Sequence, residues 1–190
     1  MCSSDLTKLP LEEGAFRVGL AAGFVDNCEA AGIPKEKLID RIRRLLNRIE
    51  VDSGATLDAS AGPVSFNIKA ALQDDMSFRN QVKKALFSNR RRFKEEIHAF
   101  FNEMVDSMPE GKTPVFIVDS IDHYRGRTKT FDEVRESVET LFSVYSSELA
   151  LPRMHVIYTV PIYAKPTGWD GQIRPVLNVK VRERDGSNVG

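Results

Sequence analysis

The sequence predicts an α/β fold with a mainly parallel sheet, and three observations predict it. Two near-continuous apolar runs, residues 114–119 and 154–160, read as strands covered by helices on both faces. Between them lie a loop, an amphipathic stretch and a turn with Pro152, the spacing of one βαβ crossover. Elsewhere apolar residues recur every three or four positions over long segments, which is the helical period.

Taken in order, the first helix is expected over residues 12–31, with Phe16, Leu20, Phe24 and Cys28 on one stripe and Gly32 and Pro34 closing it. A second, over 35–50, sets Leu38, Ile42, Leu45, Leu46 and Ile49 at helical spacing. Residues 51–74 differ: "TLDASAGPVSFNI" reads as two short strands around Ala61-Gly62-Pro63, an inserted β-hairpin. A long third helix follows over 75–106, carried by Phe78, Val82, Leu86, Phe93, Ile97 and Phe101. The fourth opens with Thr130-Phe131-Asp132-Glu133, a capping-box pattern, and continues through Val138, Leu141, Phe142 and Tyr145. A third strand is expected over 176–181.

Composition narrows the function. The 190 residues suit one domain with a real core. Lysine plus arginine equals aspartate plus glutamate, 27 each, so no global field favours nucleic acid or an anionic membrane. The basic cluster at residues 89–94 is followed by Glu95 and Glu96 and reads as a solvated helix face with i,i+4 ion pairs. No apolar run approaches the ~18 residues of a membrane span, and no charged-then-apolar segment reads like a signal peptide. Cys2 and Cys28 form no metal or disulfide spacing, which fits a cytoplasmic setting.

The stretch "PVFIVDSIDHYRG", residues 114–126, carries the chemistry. In open parallel sheets ligands sit beyond the carboxyl ends of the strands, so an apolar strand ending in Asp119 aims a carboxylate at the ligand crevice. An unpaired buried carboxylate is costly, and the usual resolution is a Mg²⁺ ion carried by a nucleotide phosphate. Asp119 is therefore the candidate metal-linked acid, in a Walker B pattern of four hydrophobic residues followed by Asp. The competing reading makes Asp119 a cap of the next turn or helix.

Residues 114–163 resemble the Walker B-to-sensor stretch of bacterial P-loop NTPases of the AAA, STAND and KAP-like group, which often carry D-x-x-D after a hydrophobic run. The resemblance implies a three-layer sandwich, here partial, with ATP and Mg²⁺ as cofactors. It makes Asp119 the Mg²⁺-linked acid, Asp122 the second acid and Thr159, closing the next strand, a γ-phosphate sensor. Ser120, beside Asp119, becomes a cofactor-binding hydroxyl. The implied activity is Mg²⁺-ATP binding or hydrolysis driving a conformational or assembly switch, with a homo-oligomer or a partner protein as its target.

The chain departs from that family twice. Ser120 stands where many such ATPases have a carboxylate to polarise water. No G-x-x-x-x-G-K-[ST] occurs, since Gly111-Lys112-Thr113 precedes a strand and has Asp106 where the first glycine belongs. Residues 2–6, "CSSDL", resemble a translated sequencing-library adapter, so residues 1–6 are expected to be a scar, residues 7–186 a partial NTPase domain, and 187–190 a tail. The Walker A loop is then expected upstream. Two alternatives stay open: a degenerate NTPase acting as a scaffold, and a metal-dependent hydrolase gathering Asp119, Asp122, His123 and His155.

Overall fold

The computed structural model describes residues 2–5, 12–30, 32–52, 63–109, 111, 113–119, 131–161, 167–169 and 171–174. Their elements are β1 (Cys2–Asp5), α1 (Glu13–Ala30), α2 (Lys35–Arg48), α3 (Val64–Asp74), α4 (Met76–Ser88), α5 (Arg90–Asp106), β2 (Val115–Asp119), α6 (Phe131–Ser143), α7 (Ser146–Leu149) and β3 (His155–Tyr158). The three-layer sandwich with a mainly parallel sheet is overturned. Of the described residues, 66% are helical and β2 and β3 together hold only 7%.

Helix α1 is the axis. Every residue from Glu13 to Val25 is buried, and α2, α3, α4, α5 and β1 all pack around it. A helix enclosed on all sides needs small or apolar residues throughout, which Gly14, Ala15, Ala21 and Ala22 supply between the larger Phe16, Leu20 and Phe24. It ends at Gly32, whose φ of 96° is the left-handed conformation that glycine adopts without strain. The Ile33 amide then donates to the Cys28 carbonyl at 3.1 Å.

The expected hairpin over 51–74 is also overturned where it is described. Residues 64–74 form α3, burying Val64, Ile68 and Leu72, an i, i+4, i+8 stripe. The Asp26 carboxylate of α1 accepts the Ser65 amide at 3.1 Å, meeting one of the donors that a helix start leaves unpaired. Residues 53–62 and the expected strand at 176–181 lie outside the described residues.

The long third helix divides in two. Asp75 caps α4 by accepting from the Ser77 and Phe78 amides at 2.8 and 3.1 Å. Asn89, in a non-helical conformation with φ −156°, accepts the Arg92 amide at 2.9 Å and starts α5. The aromatic core links these helices to the sheet: Phe24 meets Phe101 and Phe116 edge to face, with centroids 5.4 and 5.1 Å apart.

Strands β1, β2 and β3 form a three-stranded parallel sheet in that order. Residues 2–5, set aside as a scar from sequence, thus pair in register with β2, Asp5 opposite Asp119. Coverage of both sheet faces does not hold. Phe116 and Val118 are buried, while Val115 on the other face of β2 is 38% exposed and Ile157 of β3 is 50% exposed.

Candidate functional site

Asp119 closes β2, and Thr159 directly follows β3. Parallel pairing, with Val118 opposite Tyr158, brings both residues to the same carboxyl-end rim. The Thr159 amide extends the ladder by donating to the Val118 carbonyl at 3.1 Å. Its hydroxyl donates to Asp119 Oδ1 at 2.8 Å. The two residues that the sequence singled out on separate strands are therefore joined by a side-chain hydrogen bond, and the Asp119 carboxylate is exposed at that rim. Asp119 with its neighbouring hydroxyl does not by itself make a cation cage, and a Mg²⁺ ion there would take most of its ligands from phosphate and water.

Asp122, Ser120 and His123 lie outside the described residues, as do Arg125 and Arg127. His155 does not join Asp119. It pairs with Val115 at the opposite end of the sheet, four residues before Thr159 and about 13 Å away along extended chain. Among the described residues, no group of three or more His, Cys, Asp or Glu is placed to hold a metal. Arg153, in the turn before β3, pairs with Asp106 at the end of α5. Gly111 sits in the α5-to-β2 connection with φ 77°, a turn conformation, so the GKT tripeptide opens no helix.

Trp169 is a loop staple. Its indole packs on Phe142 and Tyr158, with centroids 5.9 and 5.8 Å away. The Tyr158 hydroxyl donates to the Leu149 carbonyl at 2.8 Å, and burial holds its phenol protonated well beyond its ordinary range.

A second polar constellation was not singled out from sequence. Arg17, 1% exposed in the second turn of α1, lies 3.5 Å from Glu13 and 3.3 Å from Glu148 of α7. Lys94 of α5 reaches the other oxygen of Glu148 at 3.2 Å, and Arg90 pairs with Glu13 while stacking 4.5 Å over Tyr145. Burial pushes the Glu13 carboxyl above its ordinary value, against the pull of Arg90 and Arg17. His98, one turn beyond Lys94, is pushed below its ordinary value by burial and then by Arg17 and Lys94. The signal was the i,i+4 pair in "EGAFR", a charge pair inside an otherwise apolar helix. The basic cluster at 89–94 resolves into pairs that reach other parts of the fold, Arg92 to Glu50 in the turn after α2 and Lys94 to Glu148 of α7, with only Arg91–Glu95 at i,i+4.

A groove of about 710 Å³ opens between α4 and α6 at the start of α1. Its floor holds Gly14, Val82, Leu86 and Leu141, and its rim carries Arg79 and Lys83 against Glu12 and Glu136. The charges balance, so it carries no preference for an anion or a cation.

No family model, no curated protein and no solved structure matches this chain. No helix among the described residues is long and apolar enough to cross a membrane.

Proposed function

We propose that the rim at the ends of β2 and β3 is the acid-and-hydroxyl half of a Mg²⁺-ATP site, with Asp119 holding the phosphate-borne cation and Thr159 sensing the terminal phosphate. The observation that carries this reading is the 2.8 Å bond from Thr159 to Asp119 at the carboxyl edge of parallel strands. The motif resemblance over 114–163 implies the same roles, although the three-layer sandwich that it also implies is overturned. Ser120 in place of a carboxylate favours nucleotide binding used as a switch over rapid hydrolysis, because a hydroxyl is no base at neutral pH. Turnover, where it occurs, is attack of water on the γ-phosphorus and release of ADP and phosphate.

The chain lacks a phosphate-cradling loop in its sequence, so its own affinity for Mg²⁺-ATP is expected to be weak, in the millimolar range, about −4 kcal/mol. Mn²⁺-ATP is the suitable probe, since the paramagnetic ion broadens nearby amide signals even at low occupancy. Broadening centred on Val118, Asp119 and Thr159, and abolished by Asp119→Asn, is expected. Broadening elsewhere, or indifference to Asp119→Asn, overturns the assignment.

A further inference from the structure

We propose that Trp169 is a positioning residue for the rim, holding Thr159 in the rotamer that reaches Asp119. The proposal rests on the reading of that rim as a functional site, and its first test needs no ligand.

Thr167, Gly168 and Trp169 form a strap fastened to the end of α6 and the start of α7. The Thr167 amide donates to Ser143 Oγ at 3.0 Å, and Ser146 Oγ donates to the Gly168 carbonyl at 2.8 Å. Two glycines make the strap close-fitting. A Cβ on Gly168 would fall 2.5 Å from the Ser143 carbonyl oxygen, and one on Gly171 would run into the Trp169 indole. Contacts this tight specify one seat rather than a loose surface loop.

That seat places Trp169 edge-on to Tyr158, the last residue of β3. Tyr158 is fixed from three further directions, by Phe16 at 6.5 Å, by Phe142 at 5.3 Å and by its hydroxyl on the Leu149 carbonyl. Successive strand residues point to opposite faces, so anchoring the Tyr158 ring on the core face fixes the backbone from which Thr159 projects toward the rim. Without Trp169 the Tyr158 ring loses one of its four described supports, and the end of β3 gains freedom where the hydroxyl must point at Asp119. Positioning of this kind matters because a rim group displaced by about 1 Å loses much of its effect.

The test measures three-bond couplings to Thr159 Cγ2, which report χ1, in the wild type, Trp169→Ala and Trp169→Phe without nucleotide. A single rotamer in the wild type, averaging in Trp169→Ala and recovery in Trp169→Phe are expected. A single Thr159 rotamer retained in Trp169→Ala, or averaging in all three proteins, overturns the proposal. Because Trp169→Ala can loosen the fold, circular dichroism and the methyl spectrum of the α1 core accompany it, and averaging at Thr159 together with loss of the core signals also counts against a positioning role. Mn²⁺-ATP broadening in the same samples separates the two readings. Absent broadening in the wild type with the rotamer result as expected removes the nucleotide assignment and leaves the positioning.

Discussion

Thr159 Oγ1 donates to Asp119 Oδ1 across 2.8 Å, joining the ends of two parallel strands that are 40 residues apart in sequence. The bond is exposed, so its value to fold stability is small, about 1 kcal/mol or less. Its value lies in where it puts a hydroxyl. Thr159→Val, which keeps the shape and removes the donor, is expected to leave the urea midpoint nearly unchanged while weakening Mn²⁺-ATP roughly tenfold, the equivalent of about 1.4 kcal/mol. Thr159→Ser restores the donor and is expected to restore most of the affinity. Equal affinity in all three proteins rules out a sensing role for this hydroxyl.

Arg17 is the group on which the buried charge network depends. Arg17→Leu leaves Glu13 and Glu148 facing each other with one cation fewer, and a loss of about 3–5 kcal/mol is expected by chemical denaturation. Replacing all three by apolar residues of similar size is expected to recover most of that loss, because the desolvation cost disappears with the charges. A triple variant no better than Arg17→Leu shows that packing of the Arg17 stem, and not charge pairing, holds α1 to α7.

His98 gives the fold a pH dependence of definite sign. Its folded pKa lies below the ordinary 6.5, so the unfolded chain binds the proton more readily. Stability is therefore full above pH 6.5 and falls as pH drops below it. The groups facing His98 are Arg17, Lys94 and Glu148, the last acting against the two cations. Glu13 works the other way at lower pH, since its raised carboxyl pKa makes protonation favour the folded state above its ordinary 4.5. His98→Gln is expected to flatten the unfolding free energy just below pH 6.5. A slope unchanged by that substitution places its origin elsewhere.

Gly168→Ala probes the strap. The added methyl meets a backbone carbonyl of α6 that cannot move aside cheaply, so the strap is expected to lift at a cost of about 1–3 kcal/mol. Trp169 is the one tryptophan of the chain, and its emission is expected to shift to the red as the indole leaves Phe142 and Tyr158. Emission unchanged from the wild type means that the strap has another way to seat.

Individual elements were legible in the sequence, the fold class was not, and the misses have physical causes. The stripes of α1 and α2 and the apolar runs of β2 and β3 each matched one period over enough residues to decide. The segment 64–74 misled because Val64, Phe66 and Ile68 alternate like a strand after Gly62-Pro63, whereas Leu72 completes the helical stripe four residues on. The break at Asn89 was hidden because Leu86 and Phe93 are seven apart and keep the stripe in phase across it. That Asp119 and Thr159 adjoin follows from the sequence reading of two neighbouring parallel strands, whose carboxyl ends share a rim, and the roles given to them are proposals. The Arg17 network was missed because its partners sit on α5 and α7, far along the chain, and only tertiary packing brings them together. The sheet was expected to be covered twice because uninterrupted hydrophobicity does not itself say whether a second layer is present.

The enclosure of α1 has a practical consequence at Cys28, whose thiol is 1% exposed against the core. An alkylating reagent can reach that sulfur only when the central helix is uncovered. The rate at which iodoacetamide labels Cys28 in native buffer therefore times how often the C-terminal end of α1 is uncovered, a clock that runs without denaturant.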